Sequence, residues 1–130
     1  MKELNFKCFI LFLVFYSSSI CFSQTYTKQA LTFQDSAQIK KYTENYEMYM
    51  EKSDLRNASD FLNQIADIYW NRNQFDKSTE YFLQSLKLNQ KLGNDNGMAG
   101  INSNLGMIYS DMGQFQKSVD HLEKAVIIRR

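Results

Sequence analysis

The sequence predicts an all-α protein built as a stack of antiparallel helix hairpins. Two observations support this prediction. The stretch "NQFDKSTEYFLQS" at 73–85, the first copy of the repeated phrase, is followed 40 residues later by a similar copy, "GQFQKSVDHLEKA" at 113–125. Beyond residue 24, the apolar residues recur at spacings of three and four, which is the period of a helix that buries one face, and the chain contains no proline. The repeated phrase therefore predicts two copies of one helical unit.

The first segment, residues 1–23, has the layout of a secretory signal peptide. Two lysines precede an uncharged apolar run at 8–16, and small polar residues follow it. Cys21 and Ser23 occupy the positions that a signal peptidase reads, so we expect cleavage before Gln24 and an exported protein, periplasmic or secreted. A retained anchor, lipidation at Cys21 and a cytosolic chain are the alternatives. The apolar run is too short to span a bilayer, which needs about 20 residues.

Removal of this segment would change the chemistry available to the rest of the chain. Both cysteines, Cys8 and Cys21, would be lost, which excludes a disulfide framework, a thiol nucleophile and a thiolate metal site. Basic and acidic residues would remain in equal numbers and interspersed. Such a balance predicts no nucleic acid partner and no membrane insertion of the mature segment beyond a downstream anchor.

The remaining chain divides into a linker at 24–34 and a helix at 35–53 that serves as an N-terminal cap or half-repeat. The tyrosines of this helix form an apolar stripe at helical spacing. Asp35 or Ser36 is placed to cap its start.

Two repeat units follow, at 54–93 and 94–130, and the second is truncated or uncapped. In each unit the first helix carries two adjacent apolar stripes, which indicates packing on both sides. Asn73 and Gly113 stand at the end of this helix, and both favour the left-handed backbone that stops a helix. The stretch "GNDNGMAG" from Gly93 predicts the turn between the units.

The repeated phrase also supplies the packing of each hairpin. We expect Phe75 and Phe115 to fold back onto the first helix and fix the turn, and Phe82 and Leu122 to fill the space between helices. Small residues stand where the helices must approach closely: Ala66, Ser78, Ser85, Gly106, Ser118 and Ala125.

This order of small and aromatic positions resembles the tetratricopeptide repeat, whose pattern is W-x2-L-G-x2-Y, then A-x3-F, then P. The matching residues are Ile65, Ala66, Tyr69, Ser78 and Phe82 in the first unit, and Leu105, Gly106, Tyr109, Ser118 and Leu122 in the second. Leu62 and Asn102 replace the tryptophan, and Gln90 and Arg130 replace the proline. The resemblance implies a right-handed superhelical stack, a TPR-like α-solenoid, and the 40-residue spacing resembles the long-hairpin variety of the family.

The resemblance also implies a concave binding groove lined mainly by the first helix of each unit. Its positions fall at Asp60, Asn63, Asp67, Trp70, Asn71, Ser103, Met107, Ser110 and Asp111. Some family members clamp a terminal carboxylate with basic and amide side chains; here Asn63 and Asp67 stand in their place, and Asp67 would repel a carboxylate. Trp70 either contacts the ligand or is partly packed.

Catalytic and metal-binding residue patterns are not evident in the mature chain. His121 is the only histidine, and its place beside a buried position is typical of a helix-surface residue. "GNDNGMAG" does not fit the calcium-loop pattern. We therefore expect no enzymatic activity, no cofactor and no metal.

Binding of a protein or peptide remains as the predicted function. The combination of a signal peptide and repeats resembles the extracytoplasmic N-terminal part of bacterial TPR-containing sensor proteins, such as histidine kinases or membrane-bound transcription regulators. The alternative is a free periplasmic or secreted scaffold or adaptor without signalling output. The last helix, "EKAVIIRR", offers apolar residues to a following repeat. We expect either that the chain is the front part of a longer protein or that this helix mediates self-association or pairs with a partner.

Overall fold

A computed structural model describes residues 26–129, and this part of the chain forms five α-helices joined by short turns. They are α1 (Phe33–Glu51), α2 (Leu55–Asn71), α3 (Phe75–Leu92), α4 (Asp95–Asp111) and α5 (Phe115–Ile128). Each helix packs against the next one along the chain, so α2 with α3 and α4 with α5 form two hairpins, and α1 packs on α2. The described residues contain no strand. The predicted all-α stack of helix hairpins is confirmed.

The predicted signal peptide at 1–23 lies outside the described residues. Of the five helices that are described, none is both long enough and apolar enough to cross a membrane.

The N-cap of helix α1 lies before the residues that were expected to cap it. The N-cap is Thr32, whose hydroxyl accepts a hydrogen bond from the Asp35 backbone N–H at 3.0 Å. The Asp35 carboxylate in turn accepts from the Thr32 N–H at 2.8 Å, which completes a capping box. The prediction that Asp35 or Ser36 is the N-cap was therefore wrong, because Asp35 acts from the third helical position.

The residues that end the first helix of each hairpin have the backbone conformation that their residue types predict. Asn73 has φ 54° and Gly113 has φ 72°, so both adopt the left-handed backbone that ends the first helix of each hairpin. Between the hairpins, Gly93 also has positive φ, and the Asn94 side chain accepts from the Gly97 N–H to cap α4. The turn is thus confined to the first residues of "GNDNGMAG", and the rest of that stretch is helical.

The core lies between the two hairpins and between α1 and α2. Phe82 is fully buried against Ala66 of its own hairpin and against Ile101, Leu105 and Ile108 of α4. A second cluster joins α2 to α3 and α1. The adjacent apolar stripes on α2 and α4 are buried as expected, and so are the small residues at the close approaches, namely Ala66, Ser78, Ser85, Gly106, Ser118 and Ala125.

The side chains of the two copies of the repeated phrase differ in how deeply they are buried. Phe75 is half-buried against the core, whereas the Phe115 side chain is 68% exposed, so the expectation that Phe115 fixes its turn was wrong. Leu122 contacts Gly106 but is 42% exposed. The physical reason is that α4 covers the outer side of α3, while no described helix covers the same side of α5.

A buried polar cluster that sequence analysis missed joins α2, α3 and the turn before α4. Ser85 Oγ donates to the Ser59 carbonyl at 3.1 Å, and Asn89 Nδ2 donates to Ser59 Oγ at 3.1 Å. Asn94 Nδ2 donates to Asn89 Oδ1 at 2.7 Å. Because buried polar groups are costly when unpaired, these bonds favour one arrangement of the hairpins.

Candidate functional site

The nine residues predicted to line a groove lie on the first helices of the two hairpins. Asp60, Asn63, Asp67, Trp70 and Asn71 belong to α2, and Ser103, Met107, Ser110 and Asp111 belong to α4. None of the nine is fully buried. Met107 is 46% exposed, which leaves it available for contact.

Trp70 and Asp111 are the members of this set that the structure joins directly. Trp70 Nε1 donates to Asp111 Oδ2 at 3.1 Å, a bond between residues 41 positions apart. The indole also meets the Phe82 ring edge-on, with centroids 6.3 Å apart. Trp70 is therefore partly packed, as the second of the two alternatives predicted, and it ties the end of α2 to the end of α4.

Asn63 and Asp67 are acceptor groups on the same side of α2 as Trp70, since spacings of three and four residues place side chains on one face. Burial raises the pKa of the Asp67 carboxyl above its usual range, although its side chain still reaches solvent. Asn63 Oδ1 is buried and accepts no hydrogen bond from the described residues. The exposed Asp67 carboxylate would gain from a hydrogen-bond donor supplied by a ligand.

Charge is distributed unevenly between the first and second helices of the hairpins. Helix α2 carries Asp60 and Asp67 against the single cation Arg56, and α4 carries Asp95 and Asp111 with no basic residue. The lysines of the repeats lie on α3 and α5 instead. The first helices therefore present an acidic, acceptor-rich surface that disfavours a carboxylate ligand and favours a cationic one.

Within residues 26–129, no hydrogen bond or ion pair joins the remaining predicted residues to one another. Ser103 Oγ donates to the Ala99 carbonyl of its own helix at 3.0 Å. Asp60, Asn71 and Ser110 are exposed on their helices. These positions offer an exposed surface to a ligand.

His121 is more constrained than a simple surface residue. Its ring stacks on Tyr109 with centroids 5.3 Å apart, and Nδ1 lies 2.9 Å from Asn102 Oδ1. Because an amide oxygen only accepts, the neutral ring carries its proton on Nδ1. Burial, reinforced by Lys124 and opposed by Asp120, lowers the pKa of His121. Within residues 26–129, no cluster of three or more His, Cys, Asp or Glu side chains could hold a metal ion.

A second surface, which we name the α5 outer face, is an apolar groove on the last helix. It is lined by Val119, Leu122, Glu123, Val126 and Ile127. The apolar members are between 42% and 67% exposed. Leu122 occupies the place that Phe82 has in the first unit, and Phe82 is covered by α4. The α5 outer face is thus the surface against which a further first helix would stack.

The fold and these surfaces define a class of protein, the helical repeat proteins that expose recognition surfaces on stacked hairpins. Comparison with protein families gave a match of the tetratricopeptide repeat to residues 57–130. The chain belongs to the tetratricopeptide repeat family. The match includes most of α2 and all of α3 to α5 and does not include α1. Searches among curated proteins and among solved structures gave no match.

Membership of this family indicates the general activity. Tetratricopeptide repeats are interaction modules that bind proteins or peptides and are in general not catalytic. The chain accordingly carries a protein–protein interaction module.

Proposed function

We propose that the first helices of the two hairpins bind a basic, extended segment of a partner protein. The observation that carries this proposal is the acidic surface around the Trp70–Asp111 bond, with the Asp67 carboxylate one turn and the Asn63 amide two turns from Trp70 on the same helix face. Lysine or arginine side chains would pair with the carboxylates.

The test uses the fluorescence of Trp70, which is the only tryptophan of the chain and lies in the site. The purified protein is titrated with a synthetic peptide of alternating lysine and serine and with its glutamate counterpart. We expect saturable changes in emission with the lysine peptide, weakened by added salt because the charges are largely solvent-exposed. The glutamate peptide should cause no change.

Matched variants locate the binding surface. The pair Asp67→Asn and Asp111→Asn should weaken binding of the lysine peptide roughly tenfold, since each exposed or half-exposed ion pair contributes up to about 1 kcal/mol. The pair Asp76→Asn and Asp120→Asn removes the same charge from α3 and α5 and should leave affinity nearly unchanged. Equal losses in the two double variants would show that the attraction comes from net charge and would refute the groove.

The cellular role that we propose is that of the exported, sensory N-terminal part of a bacterial membrane signalling protein, a histidine kinase or a transcription regulator, with repeats of the long-hairpin variety. The support for this role is the combination of the signal-like residues 1–23 with helical repeats, which resembles the N-terminal part of bacterial TPR-containing sensor proteins. The alternative is a free periplasmic or secreted scaffold or adaptor. A transmembrane helix and a kinase or DNA-binding domain encoded after Arg130 would support the sensor, and a stop codon there would exclude it.

Export is tested by the N-terminal mass of the protein isolated from its source. The proposal requires a chain that begins at Gln24. An intact Met1 in the soluble cytosolic fraction would contradict export, and with it both the sensor and the periplasmic or secreted scaffold.

A second interaction is favoured by the α5 outer face, whose exposed apolar side chains leave the stacking surface of α5 uncovered among the described residues. We propose that a following helix or a second copy of the chain covers it, which would give self-association when the following helix is missing.

A further inference from the structure

The turn between α2 and α3 binds a segment of the chain's own N-terminal part. We name residues 72–75 the first elbow. The Gln29 N–H donates to the carbonyl of Arg72 at 2.8 Å, and Gln74 Nε2 donates to the carbonyl of Gln29 at 2.7 Å. Both backbone groups of Gln29 are thus held.

Two further contacts extend this binding towards the N-terminus of the segment. Asn73 Nδ2 donates to the Thr27 carbonyl at 3.1 Å. The Tyr26 ring meets the Phe75 ring edge-on, with centroids 5.4 Å apart. The hydrogen bonds between the elbow and the segment involve only backbone atoms of the segment, and Tyr26 adds a side-chain contact. The first elbow therefore selects an extended segment with an aromatic residue three positions before the residue that is held.

Glutamine is what makes the elbow a binding site. At two of the other three turns, Asp54 and Asn94 occupy the equivalent position, and each caps the following helix with its own side chain. Gln74 makes no such cap, and its amide is free to reach the docked segment. A longer side chain at the N-cap thus replaces local capping by binding of another segment.

The turn between α4 and α5, residues 112–115, has the same backbone geometry, and we name it the second elbow. Gln74 has φ −91° and ψ 61°, and Gln114 has φ −89° and ψ 62°. The Gln114 N–H donates to the Tyr109 carbonyl at 2.8 Å, as Gln74 does to Tyr69 at 2.9 Å. The second elbow is therefore a structural copy of the first.

The binding groups of the second elbow have no partners within the described part of the chain. Gln114 makes no capping hydrogen bond, and the Met112 carbonyl accepts none of the turn or loop backbone bonds formed among residues 26–129. Phe115, the counterpart of Phe75, is 68% exposed. The hydrogen-bonding groups of the clamp are thus unpaired among residues 26–129, and the aromatic platform is exposed.

From this repeated geometry we infer that the second elbow binds an extended segment of a partner polypeptide, one with a tyrosine or phenylalanine three residues before the residue held by Met112 and Gln114. The chain's own segment stays at the first elbow, because it is tethered there and because Gly113 lacks the amide with which Asn73 holds Thr27. This site is separate from the acidic surface of α2 and α4, and its chemistry requires no charge on the partner.

The probe is a synthetic peptide with the sequence of residues 24–31 in which the lysine is replaced by glutamine, blocked at both ends. Removal of the positive charge separates this test from binding at the acidic surface. The peptide is titrated into isotope-labelled protein, and backbone amide shifts are followed. We expect saturable shifts at residues 112–118. A peptide with alanine in place of tyrosine should bind roughly fivefold or more weakly, because the aromatic contact is lost.

Two matched variants test the clamp. Gln114→Ala should weaken the shifts at the second elbow about fivefold to tenfold, while Gln74→Ala should leave them unchanged. Unaltered spectra of the rest of α4 and α5 would show that each variant is folded. Unchanged affinity in Gln114→Ala, or shifts confined to residues 72–75, would overturn the inference. If the protein alone shows the same shifts as its concentration rises, and Tyr26→Ala abolishes them, the inference is supported and the partner is a second copy.

Discussion

The guanidinium group of Arg72 binds the carboxylate of Asp35 through two bonds, with Nε 2.7 Å from Oδ2 and Nη2 3.3 Å from Oδ1. Arg72 is the C-cap of α2, and Asp35 belongs to the capping box of α1. The ion pair therefore joins the beginning of α1 to the elbow that ends α2. It lies next to the docked segment, whose Gln29 N–H uses the carbonyl of the same arginine.

The ion pair predicts a loss of stability in acid. The hydrogen bond from Arg72, followed by that from the Thr32 backbone, lowers the pKa of Asp35 from 3.8 to about 2. A carboxyl whose pKa is lower in the folded state stabilises the protein above the unfolded pKa, and this contribution is lost as pH falls from about 4 to about 2. Arg72→Met should lower the melting temperature at neutral pH. The melting temperature of this variant should also fall less steeply than that of the parent between about pH 4 and about pH 2.

Circular dichroism of thermal unfolding between pH 6 and pH 2 measures this effect. Lys40→Met is the control, because Lys40 and Glu44 form an exposed pair at 4.0 Å that should contribute little. An Arg72→Met protein with the same acid profile as the parent would contradict the prediction.

Gly106 and Leu122 should be strongly coupled. A Cβ added at Gly106 would lie 2.7 Å from Leu122 Cγ and 3.2 Å from the Ser118 carbonyl oxygen. We expect Gly106→Ala to reduce the free energy of unfolding by about 1–3 kcal/mol through overpacking. In the double variant with Leu122→Ala the losses should be clearly less than additive, because the truncated side chain makes room for the new methyl group.

Gly100 is the matched control for this substitution, since it lies in the same helix and nothing stands within 4 Å of an added Cβ. Gly100→Ala should raise stability by about 0.5–1 kcal/mol through helix propensity alone. Denaturant unfolding of the four variants and the parent measures the coupling free energy between positions 106 and 122. Strictly additive effects of Gly106→Ala and Leu122→Ala would show that the helices move apart rather than clash.

His121 should make stability dependent on pH near neutrality. Burial is the main cause of its lowered pKa, so the folded protein resists the proton that the unfolded chain accepts near pH 6.5. The unfolded state then binds more protons, and stability falls as pH drops from about 6.5 towards the folded pKa. His121→Gln should remove this slope, and since the chain contains one histidine, no other imidazole can replace it. Melting temperatures between pH 8 and pH 5 measure it; an unaltered slope would assign the dependence to other groups.

The α5 outer face predicts the effect of an added helix. An amphipathic helix with a polar outer side, appended after Arg130, should bury Leu122, Val126 and Ile127, raise the melting temperature and reduce self-association measured by sedimentation. A control helix of the same composition with its apolar stripe scrambled should do neither. No change with the amphipathic helix would show that the α5 outer face needs no cover.

The helix hairpins were predictable because their signals are local. The three- and four-residue spacings, the small residues and the left-handed positions at Asn73 and Gly113 all act within a few residues of the chain. The groove positions were predictable only as a surface. Their charge could be read from residue types, whereas the bond between Trp70 and Asp111 could not.

By itself, the amino-acid sequence determined the number of hairpins, their stopping points and the family to which they belong. Only the tertiary structure decided that Phe75 is covered while Phe115 is exposed, and that Asp35, Trp70 and Gln74 find partners at sequence separations of 37, 41 and 45 residues. The physical reason is that similar local sequences acquire different neighbours when the hairpins stack. The second unit covers the first unit, and the N-terminal segment covers the first elbow. This burial depends on the position of a unit in the stack and not on the repeated sequence itself.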